Sequence, residues 1–142
     1  MVITINTQNI IDDISAEFLM ELGSTDAIPP KGKLIQSLNE SNARLKVILN
    51  RYLDYSDVNQ TAEDSLGVEE EFVYNLWLST RKGTNKAQSL ADAIHAFLVN
   101  VTLTKAYSTM MMPELAKKHD EQAVADATLL NTLLNSKLPP VY

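Results

Sequence analysis

The chain has 142 residues, 45% of them hydrophobic and none of them Cys, so a single domain can bury a sizeable core but has no disulfide or thiolate chemistry. Residues 1–80 carry 13 acidic and 5 basic groups, and residues 81–142 carry 5 acidic and 7 basic groups, which gives the net charge of −6. This balance argues against direct nucleic-acid binding, which requires clustered Lys and Arg, and leaves head-to-tail attraction between subunits as an alternative to two solvated faces.

The N-terminus predicts a short extended segment or a flexible end over residues 1–6. It lacks the basic region of a signal peptide, and acidic residues soon interrupt the apolar run that follows. No window of the sequence approaches the roughly 18 uncharged apolar residues of a membrane span. We therefore expect a cytoplasmic protein without a membrane partner.

A first helix is predicted after this segment, because isoleucine, leucine and phenylalanine recur at helical spacing. Thr7 is expected to cap this helix, and Gly23 is expected to end it. Asp12 and Asp13 suit the positive end of the helix dipole.

A loop over residues 23–32 separates the first helix from a second one. Apolar residues from Leu34 to Leu53 recur at helical spacing and predict a helix of about twenty residues. Polar residues at 41 and 42 interrupt the apolar face, so a kink or break there is an alternative to a continuous helix. An acidic link over residues 54–67 follows, and it contains a capping box at 61–64.

The segment over residues 68–79 fits two structures. Glutamates at its start and basic residues after its end match a helix dipole, whereas Phe72, Tyr74 and Leu76 alternate with other residues as in a strand. We predict a helix, because the short N-terminal extended segment is the only partner strand in view. Trp77 and the aromatic residues near it are predicted to anchor the core.

The last third of the chain predicts a helical hairpin. A basic turn over residues 81–88 precedes a capping box that begins at Ser89. The helix from Ser89 to about Met111 is apolar nearly all round, so we expect it to be the central, buried helix. Pro113 suits the first turn of the next helix, whose alanines allow close packing against a neighbour.

The sequence predicts no catalytic residue, no cofactor and no metal site. It has two His residues, no Gly-x-Ser-x-Gly elbow, and four scattered glycines that cannot cradle a phosphate. The sharpest metal pattern is Asp92 three residues before His95, but a di-metal bundle needs two such pairs, and Ala116 occupies the matching place before His119. We therefore predict that Asp92 caps its helix and that His95 lies at the edge of the core. An enzyme would instead show a polar, convergent pocket around His95.

Contacts with protein partners are the remaining function that the residues suggest. The three methionines at 110–112 offer an adaptable surface, as an alternative to filling gaps in the core. Prolines prevent a helix in the C-terminal tail, so residues 136–142 are either a frayed end or a segment that docks on another subunit. The candidate interaction residues are Arg81, Lys82, Lys86, Met110, Met111, Met112, Leu138, Pro139, Pro140 and Tyr142.

The order of features in the C-terminal half resembles a known class of proteins. A buried helix from Ser89, a second helix from Pro113 and the terminal Lys137-Leu138-Pro139-Pro140 look like small all-helical virion-assembly proteins of bacterial prophages, of the head-completion or head–tail connector type. Two other stretches resemble pieces of prophage-encoded families, namely Phe72-Val73-Tyr74 with Leu78-Ser79-Thr80-Arg81, and His95-Ala96-Phe97-Leu98-Val99-Asn100. The resemblance implies a non-enzymatic subunit that forms a ring with further copies at the portal vertex and bridges head to tail.

The combined prediction is a single all-α domain, a bundle of about five helices, that acts as a structural or assembly protein in the cytoplasm or in a virion. The alternative is a small helical adaptor or regulatory protein that binds a protein partner through residues 110–112. An assembly protein is expected to form rings or mixed oligomers at high concentration. An adaptor is expected to stay monomeric or dimeric until its partner arrives.

Overall fold

The protein is built mainly from helices, as a computed structural model shows. The structure describes residues 1–23, 29–53, 71–77 and 84–135. Helix accounts for 78% of this part of the chain, which confirms the predicted helical class, but it contains four helices rather than five, together with a two-stranded sheet. In chain order the elements are β1 (Val2–Asn6), α1 (Thr7–Leu22), α2 (Lys31–Leu49), β2 (Glu71–Asn75), α3 (Thr84–Thr109) and α4 (Pro113–Asn135).

The helix predicted over residues 68–79 is wrong where the structure describes that segment. Its central residues form β2, which runs antiparallel to β1 and pairs Tyr74 with Ile3 and Phe72 with Ile5. All four side chains are buried, so the inner face of the sheet is part of the core. The N-terminal extended segment is thus the partner strand, and burying every second side chain outweighs the charge pattern that favoured a helix.

The start of α1 differs from the predicted one by a single residue. Asn6 is the N-cap, and its side-chain oxygen accepts a hydrogen bond from the backbone N–H of Asn9 at 3.1 Å. The first turn contains no acidic residue. Asp12 and Asp13 therefore lie too far along the helix to interact with its dipole as predicted, since that effect is confined to the first turn.

The described part of α3 begins earlier than predicted. Residues 84–88 are already helical, so the last five residues of the predicted basic turn belong to the helix. Ser89 and Asp92 consequently lie inside α3 and cap nothing. Asp92 Oδ1 accepts a hydrogen bond from Gln88 Nε2 at 2.8 Å, which is an ordinary pair one turn apart on an exposed helix face.

The helix α2 continues without a break through its polar positions at 41 and 42. Ser41 Oγ donates to the carbonyl oxygen of Ser37 at 2.8 Å and lies 3.0 Å from the hydroxyl of Thr102 on α3. Asn42 accepts a hydrogen bond from the hydroxyl of Tyr74, whose pKa is raised by burial. These buried polar groups are paired with other elements, so they fix how α2 and β2 sit against the core rather than kink the helix.

The central element is α3, as predicted. It packs against α1, α2, α4 and β1, and its longest contact is with α4. Phe18 of α1 meets Tyr107 edge-on, with ring centroids 5.2 Å apart. The fully or nearly fully buried side chains of α3 include Leu90, Ile94, Phe97, Leu98, Val101, Leu103 and Tyr107.

Two helices end on a residue in the left-handed region. The end of α1 is Gly23, as predicted, with φ of 69°. After α3 the left-handed residue is Met111, with φ of 58°. The N–H of Met111 donates to the carbonyl oxygen of Ser108, and the N–H of Met112 donates to that of Tyr107. This is the Schellman pattern, which normally has Gly at that position because a Cβ there is strained. Pro113 then begins α4 as predicted.

We expect Gly23→Ala and Met111→Gly to change the free energy of unfolding in opposite directions. Gly23→Ala should lower the free energy of unfolding by about 0.5–1 kcal/mol, because the new Cβ meets no atom but strains the backbone. Met111→Gly should raise it by a similar amount, because the strain is relieved at an exposed side chain. Urea denaturation of both variants checks this, and a stabilising Gly23→Ala would contradict the assigned left-handed conformation.

Several predicted features lie outside the described residues. They are the interior of the loop over residues 23–32, the acidic link with its capping box, the C-terminal tail, and six of the candidate interaction residues: Arg81, Lys82, Leu138, Pro139, Pro140 and Tyr142.

Candidate functional site

The first candidate site is a groove between α1, α3 and α4. Asp13, Glu17 and Glu21 occur four residues apart and form an acidic line along one face of α1. His95 of α3 and His119 of α4 face this line. The groove is open to solvent, has a volume of about 520 Å³, and is lined by Asp13, Ala16, Glu17, Met20, His95, Ala96, Val99, Asn100, Lys118, His119 and Gln122.

The orientation of His119 is fixed by Asn100. The amide nitrogen of Asn100 donates to two acceptors, the carbonyl of Ala96 at 3.0 Å and Oδ2 of Asp126 at 2.9 Å. Asn100 Oδ1 must therefore face His119, and it lies 2.9 Å from Nδ1. Because this oxygen can only accept, Nδ1 carries a hydrogen, and Nε2 is the nitrogen that points at α1.

His119 Nε2 lies 2.7 Å from Oε1 of Glu21. The side chains of His119 and Glu21 are only 6% and 8% exposed, so water does little to screen this pair. With a hydrogen already on Nδ1, a neutral imidazole would turn the lone pair of Nε2 toward a carboxylate. A second proton on His119, or a cation between the two groups, removes that repulsion.

Glu21 gathers donors from two other helices. The Tyr107 hydroxyl donates to Oε1 at 3.1 Å, and Lys118 Nζ donates to Oε2 at 3.1 Å. The ring of Tyr107 also stacks on that of His119, with centroids 5.6 Å apart. Burial raises the pKa of Glu21, but hydrogen bonds from His119 and Lys118 outweigh it and hold the pKa below its ordinary value.

Glu17 is the second carboxylate of this cluster. Burial raises its pKa above the ordinary value, and both a hydrogen bond to Glu21 and the charge of Glu21 raise it further. The two carboxylates thus shift in opposite directions because one holds the cationic partners and the other faces a like charge. Together with His119, they form the one group among the described residues whose ligand atoms are arranged to hold a metal ion.

His95 is also paired with α1, but not with the residue that the sequence suggested. Its Nε2 lies 2.5 Å from Oδ2 of Asp13, whereas Asp92 bonds Gln88. The predicted position at the edge of the core is confirmed by its intermediate burial. The polar, convergent groove beside it was described above as the mark of an enzyme, yet neither Ser nor Thr is among its described lining residues, and both imidazoles already contact carboxylates.

Some charges of the two halves pair with each other within the chain. Lys118 pairs with Glu21, Lys105 pairs with Glu40, and each pair joins the basic C-terminal half to the acidic N-terminal half of the same chain. Both histidine pairs do the same. The charge asymmetry therefore serves contacts within the molecule, which weakens the case for head-to-tail attraction between copies.

A second candidate surface is the outer face of the sheet, defined here by Val2, Val73 and Trp77. All three side chains are exposed, and that of Trp77 is 69% exposed, so the prediction that it anchors the core is wrong. Val2 pairs with Asn75, which places Val73 and Trp77 diagonally on either side of it. The outer sheet face therefore carries three exposed apolar side chains, with Thr4 and Asn75 beside them.

The described candidate interaction residues are not gathered into one surface. Met110 and Met112 are partly buried against the core, which favours the predicted gap-filling role, whereas Met111 is 87% exposed. Met110 also lines a groove of about 550 Å³ between α2 and the end of α3, together with Pro29, Pro30 and Leu34. Lys86 lies in the first turns of α3 and is partly buried.

The groove between α1, α3 and α4, called the acidic groove below after Asp13, Glu17 and Glu21, was not predicted, although two signals for it are present in the sequence. The spacing of Asp13, Glu17 and Glu21 marks one helix face, and His119 and Asp126 fall on the apolar stripe of α4, where both are buried. A buried polar residue on a core stripe must find a partner.

Comparison of the chain with family models, with curated proteins and with solved structures found no match. Among the described residues, no helix combines the length and the apolar character that crossing a membrane requires.

Proposed function

We propose that this chain is a non-enzymatic assembly subunit that works through protein–protein contacts, in the prophage head–tail setting that its C-terminal half resembles. The observation that carries the proposal is the outer sheet face, where Val2, Val73 and Trp77 are exposed while the inner face of the sheet is buried. Trp is strongly enriched among residues that dominate binding energy at protein interfaces. Leaving an indole and two valines in water costs free energy that a covering partner would recover.

A further copy of the chain is the partner that we propose for this surface. A ring requires two different patches on each subunit, so that one patch of each copy meets the other patch of the next. The outer sheet face supplies one patch. Val124 and Leu129, which are exposed on α4, are available for the other. The interface is expected to be apolar, because both patches consist of exposed apolar side chains.

Self-association should be concentration-dependent and should bury Trp77. Light scattering across a concentration series is expected to show growth of oligomers, and the fluorescence of Trp77, the one Trp in the chain, should shift to the blue in parallel. Val73→Lys should abolish both changes, because it places a charge among the exposed apolar side chains of the outer sheet face. Val47→Lys, at an exposed position on α2, is the matched control and should leave both unchanged.

Three results would count against the proposal. Wild-type protein that stays monomeric with water-exposed Trp77 at all concentrations excludes self-association. Oligomers that form without a change in Trp77 fluorescence exclude this surface. Equal effects of the two lysine variants indicate a general change in solubility rather than loss of a specific contact.

The alternative function is that of an adaptor that binds a protein partner near residues 110–112. The specific observation in its favour is Met111, a nearly fully exposed side chain held in a strained backbone conformation where Gly would be more stable. The adjacent groove beside Met110 is large enough for side chains of a partner. On this alternative, the concentration series shows no assembly.

A further inference from the structure

The cluster of Glu17, Glu21 and His119 has the donor set of a metal site. A carboxylate oxygen from each glutamate and an imidazole nitrogen from His119 all lie within 4.8 Å of one another. We propose that these three residues bind a divalent transition-metal cation. This goes beyond the assembly role, does not depend on it, and assigns the groove a ligand that joins the N-terminal helix α1 to the C-terminal helix α4.

The environment of His119 is that of a metal ligand. Imidazoles that bind metals donate their second N–H to an oxygen that fixes the ring, and His119 Nδ1 has such a partner in Asn100. Asn100 is itself held by Ala96 and Asp126, so these outer contacts are made without Glu17 or Glu21. The arrangement leaves Nε2, the nitrogen that points at Glu21, as the one available for a cation.

Glu17 is the residue that an ordinary ion pair does not explain. Glu21 already has the contacts of a buried carboxylate, because Lys118 and Tyr107 donate to it and His119 Nε2 lies against it. Glu17 places a second carboxylate oxygen within 4.8 Å of the ligand atoms of Glu21 and His119, which brings two like charges together. A divalent cation between the two carboxylates and the imidazole turns that repulsion into binding energy.

Binding requires only local movement. Bonds of about 2.0–2.2 Å in tetrahedral geometry would place the ligand atoms about 3.4 Å apart, which is at most about 1.4 Å closer than the 4.8 Å within which they now lie. The side chain of Glu17 lines the open groove and can rotate. Lys118, whose side chain is mostly exposed, can leave Glu21 for solvent when the cation arrives.

The mixture of donors selects the class of metal. Carboxylates alone favour Mg²⁺ or Ca²⁺, whereas an imidazole nitrogen favours later first-row metals, for which affinity rises from Mn²⁺ toward Zn²⁺. The chain has no Cys, so thiolate-dependent metals are not favoured. We therefore expect Zn²⁺ to bind more tightly than Mn²⁺, and Mn²⁺ more tightly than Mg²⁺.

The test is to titrate the chelator-treated chain with ZnCl₂, MnCl₂ and MgCl₂. Calorimetry measures binding of each metal, and ¹⁵N NMR of the imidazoles shows which His binds it. The chain has two His residues, so the NMR spectrum contains two imidazoles, which a His95→Asn variant assigns. Zn²⁺ should shift Nε2 of His119 and leave His95 unaffected. Calorimetry should show one site per chain.

Glu17→Gln and Asp13→Asn form a matched pair of variants. Each removes one carboxylate charge from the same face of α1, and neither residue is buried. Glu17→Gln should weaken Zn²⁺ binding about tenfold or more, as loss of a ligand does, while Asp13→Asn should change it less than about twofold. Thermal unfolding gives an independent readout, because Zn²⁺ should raise the Tm of Asp13→Asn but not that of Glu17→Gln.

Each of the following outcomes would overturn the proposal: no binding of Zn²⁺ or Mn²⁺ by wild-type protein, equal binding of Mg²⁺ and Zn²⁺, equal weakening by the two variants, or a shift of the His95 imidazole in place of His119. Equal weakening indicates general attraction to an acidic face. None of these outcomes affects the proposed assembly, which rests on the outer sheet face.

Discussion

Tyr74→Ala is expected to lower the free energy of unfolding by about 3–5 kcal/mol, which is the range for removing a large buried aromatic side chain. Tyr74 is 1% exposed, packs on the inner face of the sheet, and donates a hydrogen bond to the buried Asn42. The substitution therefore leaves both a cavity and an unpaired amide oxygen. Val73→Ala, one residue away on the outer face, should cost less than about 0.5 kcal/mol.

Urea denaturation followed by circular dichroism measures both changes. Tyr74→Phe separates the two causes, because it keeps the ring and removes only the hydroxyl, and should cost about 1–3 kcal/mol. In a strand, neighbouring residues point to opposite faces, so the effects at 73 and 74 must differ strongly. Similar effects at the two positions would contradict the strand and its register.

The strand at Tyr74 shows where the sequence was ambiguous. Alternation of Phe72, Tyr74 and Leu76 was visible, but acidic residues before them and basic residues after them favoured a helix. The decisive interaction is pairing with β1, about 70 residues earlier in the chain, and local patterns carry no information about such distant partners. Trp77 follows this strand and is exposed, so an aromatic residue type alone did not place it in the core.

The helices themselves were largely predictable. Period-3.6 apolar stripes located α1, α2, α3 and α4, and Gly23 and Pro113 marked an end and a start correctly. The start of α3 was not predicted correctly, because the spacing of a capping box at Ser89 also occurs by chance inside a helix. Pro113 located the end of α3 to within a few residues, but the left-handed residue there is Met111 rather than Gly, so the capping geometry had no sequence signal.

The acidic groove was harder to predict because its parts come from three helices. Glu21 and His119 are 98 residues apart and meet because α1 and α4 both pack near α3. Single-helix motifs such as Asp92 with His95 suggested chemistry in the wrong place, since Asp92 faces away from the groove's contacts. The informative signal was the polarity of His119 and Asp126 on an otherwise apolar stripe, which requires a partner but does not name it.

Assembly and metal binding are proposed for different parts of the molecule, so they should respond to different experimental conditions. Assembly through the outer sheet face depends on protein concentration and on Trp77. Metal binding in the groove depends on the free cation and on Glu17, and it acts on the link between α1 and α4. Because the sheet includes β1, which leads directly into α1, a cation that steadies α1 would also steady one edge of the outer sheet face.

Glu21→Ala is expected to lower the free energy of unfolding by about 3 kcal/mol at neutral pH in the presence of a chelator. Removing Glu21 leaves Nε2 of the buried His119 ring and the hydroxyl of Tyr107 without their partner, and it takes the carboxylate away from Lys118. Glu40→Ala is the matched control, because Glu40 also pairs with a lysine of another helix, but its side chain is 51% exposed. Its loss should cost less than about 1 kcal/mol.

The pH dependence of the stability lost in Glu21→Ala shows whether the charge of Glu21 causes that loss. The pKa of Glu21 is lower in the folded protein than its ordinary value of 4.5, so its charge contributes stability above that pH, and the contribution is lost as the pH falls through the folded pKa. The charge of Glu17, whose pKa is raised, instead lowers the stability of the fold. The Glu21→Ala variant removes the neighbouring carboxylate that repels Glu17. The difference in the free energy of unfolding between wild type and Glu21→Ala should therefore become smaller at acidic pH. A difference that stays constant from neutral pH to below 4.5 would mean that Glu21 stabilises the fold by packing, and that the cluster with His119 is not held by charge.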